Sequence, residues 1–436
     1  MIRSARDTAR LFAALALAAA FAAGGCQSRE PYTPGAHGGA MDIRTASFDT
    51  GLGPGNAEIP AAVPGRPLLL LTNSSAKSLS FLDISDFSSV RRLRDDLDLS
   101  GYGEPTSVSV RPDGSLAVVA IKKGNGVRGL VLAIDLAEGR EGTVIGRPLE
   151  VGYGPDKVCF APDGTQALVA DEGEPGETSD PPGSISIVRV GRDGSLSLDR
   201  RLVLDARAHP ALAKFGDAGV EPEYIAIAPD SSRAWATLQE NNAVAVLDLR
   251  DGKVTAVWDL GEAEHDFCAD ARAPDPVFRK MRGRREPDGI AVTPDARYLV
   301  TANEGDTDAR AGVMSGTRDI AVWSAADGSL TGCTADQFER AAASSGLLES
   351  GRELKRGVEP EDVLVMEVDG RLLAFAGLER AASVAVVDLS DPASPKLERL
   401  VPAGKAPEGL CAVPDRKAVA AACEGDGTVA FLLLSR

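Results

Sequence analysis

The 436 residues carry 64 acidic against 47 basic side chains, a formal net charge of -17. That excess argues against nucleic acid, whose binding needs clustered Lys and Arg to displace counterions, and is compatible with cation binding. Length alone leaves two ordinary domains or one large all-β domain open for the body of the chain.

The N-terminus decides what the rest is exposed to. Arg3, Arg6 and Arg10 precede an unbroken apolar run from Leu11 to Ala23, which meets Gly24-Gly25-Cys26. A run this short is a secretory signal peptide rather than a membrane-spanning helix. The small residues ending in cysteine match the lipobox of bacterial lipoproteins, so residues 1–25 are expected to be removed and Cys26 acylated. Ala23 stands where lipoboxes usually carry leucine, and a plain secreted form is the alternative. Gln27, in place of an aspartate, favours the outer membrane where the host has one. The Gly/Pro-rich stretch 26–40 reads as a flexible tether.

From residue 41 onward one pattern recurs. It runs Gly or Glu, Pro, an acid, an alternating apolar run, Pro-Asp-Gly or a variant, a second apolar run, a polar Asn/Glu/Gly/Asp cluster, and a third run ending in Asp. Clear copies are Glu221-Pro222-Glu223 with Pro229-Asp230 and Gln239-Glu240-Asn241, and Glu286-Pro287-Asp288 with Pro294-Asp295 and Asn303-Glu304-Gly305-Asp306. Others start at Pro105, Pro155, Pro360 and Pro407, and a cryptic one follows Gly53-Pro54. Short apolar runs bounded by turn residues are strands, and Pro-Asp-Gly is tight-turn chemistry. Four antiparallel strands per unit and seven units predict a seven-bladed β-propeller over 41–436. The last unit offers three strands, and Asp42–Phe48 belongs to no unit, so this segment is expected to complete the last blade and close the ring.

The interval from the Pro-acid element to the next acid is nearly constant: Pro155 to Glu172 is 17, Pro222 to Glu240 is 18, Pro287 to Glu304 is 17, Pro360 to Glu379 is 19 and Pro407 to Glu424 is 17. A hairpin that leaves one face and returns to it explains this. It places Asp156, Glu223, Asp288, Glu361 and Glu408 around a channel mouth, with Glu172, Glu240, Glu304, Asp306, Glu379 and Glu424 beside them. Clustered carboxylates call for compensation, and calcium accepts several carboxylate and carbonyl oxygens in an adaptable geometry. The alternative is that these acids cap strand ends, form Asx turns and face water.

Other chemistry has little to build on. The histidines are His37, His209 and His265, and only His265 suits a serine triad. The cluster His265, Asp266, Cys268 and Asp270 has ligand residue types without a recognised spacing, and reads better as a solvated loop. No phosphate-binding loop or dinucleotide fingerprint occurs. Once Cys26 is acylated an odd number of cysteines remains, which is no disulfide framework, and Cys268 with Cys333 is the pair to test for a bridge. Ala341-Ala342-Ala343 lies in an expected short helix that packs between units.

Asp171-Glu172-Gly173-Glu174-Pro175 with Asp180-Pro181-Pro182-Gly183-Ser184-Ile185-Ser186-Ile187 resembles the choice-of-anchor I family of bacterial surface β-propellers. So do Glu221-Pro222-Glu223-Tyr224-Ile225-Ala226, Thr237-Leu238-Gln239-Glu240-Asn241-Asn242-Ala243, Thr301-Ala302-Asn303-Glu304-Gly305-Asp306 and Pro407-Glu408-Gly409-Leu410. The resemblance implies an exported cell-surface protein, with some members described as alkaline phosphatase or esterase-like. The stretch Glu262 to Arg285 departs from the family's longer Asp-rich insert, and it sets Arg282, Arg284 and Arg285 where they are candidates to hold a phosphate. Two functions follow as expectations. One is a lipid-anchored, monomeric binding or scaffold module for a cell-envelope ligand, with an acidic, cation-binding mouth. The other is a calcium-dependent phosphoesterase.

Overall fold

The structure is a computed structural model that describes residues 41–173, 181–205, 207, 209–215, 219–271, 275–305, 313–348 and 356–435. Residues 1–25, expected to be a signal peptide, Cys26 and the whole of the expected tether 26–40 lie outside the described residues, as does Asp306.

The fold is all-β, built of successive antiparallel sheets. Each unit begins with an inner strand, turns, and adds strands outward. The third unit shows the plan, with Pro155–Phe160, Gln166–Asp171, Ser184–Val190 and Leu196–Val203 hydrogen-bonded in that order. The same order recurs in Glu104–Val110 to Thr143–Tyr153, Pro222–Ile227 to Lys253–Asp259, Pro287–Val292 to Leu330–Cys333, and Pro360–Val368 to Lys396–Pro402. The sheet that starts at Pro60–Ala62 splits its outer strand into Arg91–Arg92 and Leu97–Asp98, both paired with Ser78–Asp83.

Middle strands are buried along their length, as Leu68–Asn73 and Ala418–Cys423 are, because their side chains pack against the flanking sheets. Outer strands are wetter, and Leu196–Val203 is mostly exposed. Inner strands touch their neighbours in order along the chain, and Pro60–Ala62 also packs on Pro407–Val413.

The last unit supplies Pro407–Val413, Ala418–Cys423 and Thr428–Ser435, and its fourth strand is Asp42–Asp49. The N-terminal strand pairs antiparallel with Thr428–Ser435 from Asp42 opposite Ser435 to Asp49 opposite Thr428.

The described residues contain eight sheets, one more than the repeats predict. The additional sheet has three strands: a hairpin of Glu262–Asp270 and Val277–Arg284, with Val313–Met314 parallel to the second strand. The described residues of the charged excursion before Arg285 are mostly strand, and the solvated-loop reading of His265, Asp266, Cys268 and Asp270 is corrected. His265 is buried, with Nε2 2.8 Å from the Thr317 carbonyl, and its ring stacks on Phe267 at 4.6 Å. Asp266 instead pairs with Arg340 at 2.6 Å. These groups hold the hairpin onto the body rather than converging on one point. The helix Gln337–Ser344 buries Phe338, Ala341, Ala342 and Ala343 against Cys268, Val358 and Val363, the packing role expected of it.

Candidate metal centre

Two sets of acids separate by position. Those in the Pro-Asp turns lie at the far end of the inner hairpins and close Asx turns on their own loops. Asp230 accepts from Ser232 N at 3.0 Å and from its hydroxyl at 2.7 Å, and those bonds hold its carboxyl below the usual range. These acids serve the tight turns that the Pro-Asp sequence predicts.

The other set lies at the opposite end, and proline determines how. Pro155 pairs with Asp171, Pro222 with Leu238, Pro287 with Asn303, Pro360 with Leu378 and Pro407 with Cys423. The register then slips in every one of these hairpins before the next paired residue. Such a bulge re-aims a side chain out of the sheet alternation, and the residue it displaces is the acid after the proline. The backbone before the proline is left-handed at Glu286, Glu359 and Ala406 (φ 48°, 45° and 49°), a conformation that costs a residue with a Cβ roughly 1–2 kcal/mol.

These acids share one cavity of about 350 Å³. Asp156, Glu223, Asp288, Glu361 and Glu408 line it from the inner strands, and Glu172, Glu240 and Glu304 line it from the returning ends. Glu379 and Glu424 are not among the lining residues, and their charges act on Glu408. Repeat spacing did not identify Glu58, Thr106, Arg356 and Arg380, which line the cavity too. Glu58 is the first unit's counterpart of Glu223: Ile59 N donates to Thr72 Oγ1 at 2.9 Å as Tyr224 N donates to Thr237 Oγ1 at 2.9 Å. Thr106 occupies the same bulge after Pro105.

Two groups of carboxylates converge within the reach of a single ion. Asp288, Glu304 and Glu361 each offer an oxygen, all within 4.8 Å of one another, and so do Glu359, Glu361 and Glu379. Calcium binds oxygens at about 2.3–2.6 Å, so ligands on opposite sides of it stand about 5 Å apart. Both groups fit. The second is already compensated: Arg356 Nε lies 3.1 Å from Glu359 and Arg380 Nη1 lies 2.9 Å from Glu379, and Arg380 also pairs with Glu359. In the first, Gln239 Nε2 donates to Glu304 at 2.5 Å and Arg356 is 3.8 Å away from it.

Burial is the main reason that Glu58, Glu223, Asp288, Glu361 and Glu408 have carboxyls held well above their ordinary range, with neighbouring carboxylates adding to it. Glu359 is pushed up to about 8 by burial and by its contact with Glu379. A site that penalises negative charge this strongly gains when a cation enters.

The floor is formed by Tyr224, whose hydroxyl burial holds well above the ordinary phenol range. The Lys157 ammonium lies 3.8 Å from its ring centroid and 3.9 Å from Asp362.

The arginines expected to hold a phosphate stand elsewhere. Arg285 is 1% exposed, packed over Trp323 at 5.2 Å and set against Asp319 at 3.5 Å. Arg282 pairs with Glu262 on the outer hairpin. Arg284 pairs with Glu286 at 2.6 Å and donates to the Glu240 carbonyl at 2.7 Å. None of the three lines the cavity, because each is drawn to a nearer acid or aromatic ring; the guanidiniums that do are those of Arg356 and Arg380.

The profile of the choice-of-anchor I domain matches residues 58–311 and 307–392. No curated protein matches the sequence. Among solved structures the chain is similar to Kuenenia stuttgartiensis hydrazine synthase, at 17% identity and a TM-score of 0.60, over 92% of this chain and 98% of that one. It is also similar to the Myceliophteria thermophila Cps50 (Swd1) β-propeller domain, at 12% identity and a TM-score of 0.56, over 90% of this chain and 99% of that one. At such identities the likeness concerns the fold alone, and that fold is a β-propeller.

Proposed function

This chain belongs to the choice-of-anchor I family, and from that premise we propose that it is a bacterial cell-surface binding module whose acidic mouth holds a divalent cation, calcium above others. The observation that carries the reading is the convergence of Asp288, Glu304 and Glu361 within 4.8 Å, in a cavity where burial already disfavours uncompensated carboxylates. Glu361 and Asp288 would hold the ion from two inner strands and Glu304 from a returning end.

The rest of the architecture serves presentation. The seven sheets that follow the repeat are read as seven blades, and the pairing of Asp42–Asp49 with the last of them as the lock on the ring. Cys26 is read as the acylated residue and 26–40 as the tether, in an outer membrane where the host has one. The described chain enters at Asp42, at the end of the last sheet away from Glu408. A tether attached there joins the body at the end opposite the mouth.

Calorimetric titration of the mature chain with calcium tests the reading. One tight equivalent, lost in Glu304→Gln, supports it; no heat of binding in the wild type sinks it.

A second reading, a metal-dependent phosphoric ester hydrolase, draws support from Arg356 and Arg380 standing in the same cavity as the carboxylates. The ion would polarise a phosphoryl oxygen, and the guanidiniums would bind the remaining negative charge. Calcium-dependent hydrolysis of a generic phosphomonoester, abolished in Arg380→Met, would favour it; tight calcium with no turnover favours the binding module.

A further inference from the structure

One lysine lies beneath the ring of acids. Lys157 follows Asp156 on the strand Pro155–Phe160, and Asp362 follows Glu361 on the strand Pro360–Val368, so both sit one residue farther from the mouth than its acids. Their side chains are 13% and 8% exposed. The ammonium is 3.9 Å from the Asp362 carboxylate and 3.8 Å from the face of Tyr224. It thereby links three inner strands across the channel. Asp362 Oδ2 is itself fixed by Leu410 N at 2.9 Å.

A carboxylate beside an aromatic face is a place where a cation is held on its own merits, by charge and by the ring quadrupole. We infer that Lys157 determines how many ions the mouth accepts: its ammonium takes up, against Asp362 and Tyr224, a second cation position directly under the first. This rests on the reading of the mouth as a cation site.

A free ion can enter the same position only if the ammonium vacates it. Methionine fills the space of the Lys157 stem, ends one heavy atom short of the ammonium and carries no charge. Loss of the ammonium leaves a buried carboxylate without its cationic partner, which is costly unless an ion replaces it. The structure therefore predicts a gain of binding from a deletion of charge, which general damage to the fold does not produce.

The test is calcium stoichiometry on the full chain by equilibrium dialysis, with near-ultraviolet circular dichroism to check the fold. Wild type and Lys157→Arg are expected to bind one equivalent, Lys157→Met two, and Lys157→Met combined with Asp362→Asn one again. If the wild type binds one equivalent and Lys157→Met binds one with unchanged affinity, the inference is overturned while the mouth reading stands. If the wild type binds none, the mouth reading fails. The lysine inference then survives only if Lys157→Met gains an equivalent that Asp362→Asn removes.

Discussion

Asp288 and Glu361 each stand one residue past a proline in consecutive repeat units, and their carboxylates offer oxygens within 4.8 Å of one another. Proline ends the pairing, the bulge turns the next side chain, and repetition brings like charges together. The arrangement has consequences that can be measured.

Calcium affinity should depend on the converging acids far more than on those around them. Glu361→Gln removes a ligand shared by both carboxylate groups, and a drop of at least tenfold is expected by titration. Asp230→Asn, at the opposite end of its hairpin, should leave calcium affinity unchanged, and its amide oxygen can still accept from Ser232 to close the Asx turn.

Stability without metal should fall as pH rises. Glu58 and Glu361 are held above their unfolded value of 4.5 and Glu359 is raised to about 8, chiefly by burial. Between those values the folded chain holds more protons than the unfolded one. The contribution of Glu359 is therefore fully present below pH 4.5 and is lost as pH climbs through about 8, and Glu58 and Glu361 act in the same direction, each tenfold difference in proton affinity between the two states being worth about 1.4 kcal/mol. Thermal scans in chelator should give a lower Tm at pH 8 than at pH 5.5, and calcium should remove the difference. A Tm that rises with pH in chelator would show that the mouth acids are not destabilised when charged.

Loss of the N-terminal strand should be severe. Asp42–Asp49 pairs along the whole of Thr428–Ser435, and Phe48 packs in the cluster that contains Phe431. Deleting residues 41–49 bares a long apolar strand edge, the usual template for association. Light scattering should show aggregation at temperatures where the intact chain is monodisperse. An unchanged scan would mean that the last sheet stands without its fourth strand.

Much of this was legible in the sequence, because a hairpin converts spacing into position. Pro155 to Glu172 and Pro407 to Glu424 span equal intervals, and both pairs of ends meet. The first two units were recognised, but their cavity residues Glu58 and Thr106 escaped because Ala57-Glu58 lacks the proline and Thr106 follows Pro105 without a charge. The additional sheet escaped because Glu262–Asp270 and Val277–Arg284 are rich in charge, which masks alternation. Arg356 and Arg380 lie outside regular strands, where sequence carries no register. The contact between Lys157 and Asp362 joins units far apart in the chain, and only the ring-like stacking of inner strands brings them together.

The decisive measurement is anomalous diffraction from a crystal grown with calcium. One strong peak is expected at the mouth, within about 2.6 Å of an oxygen from each of Asp288, Glu304 and Glu361. A fully occupied crystal with no peak there, or with its ion at the Pro-Asp turns, would contradict a calcium site built by those three acids.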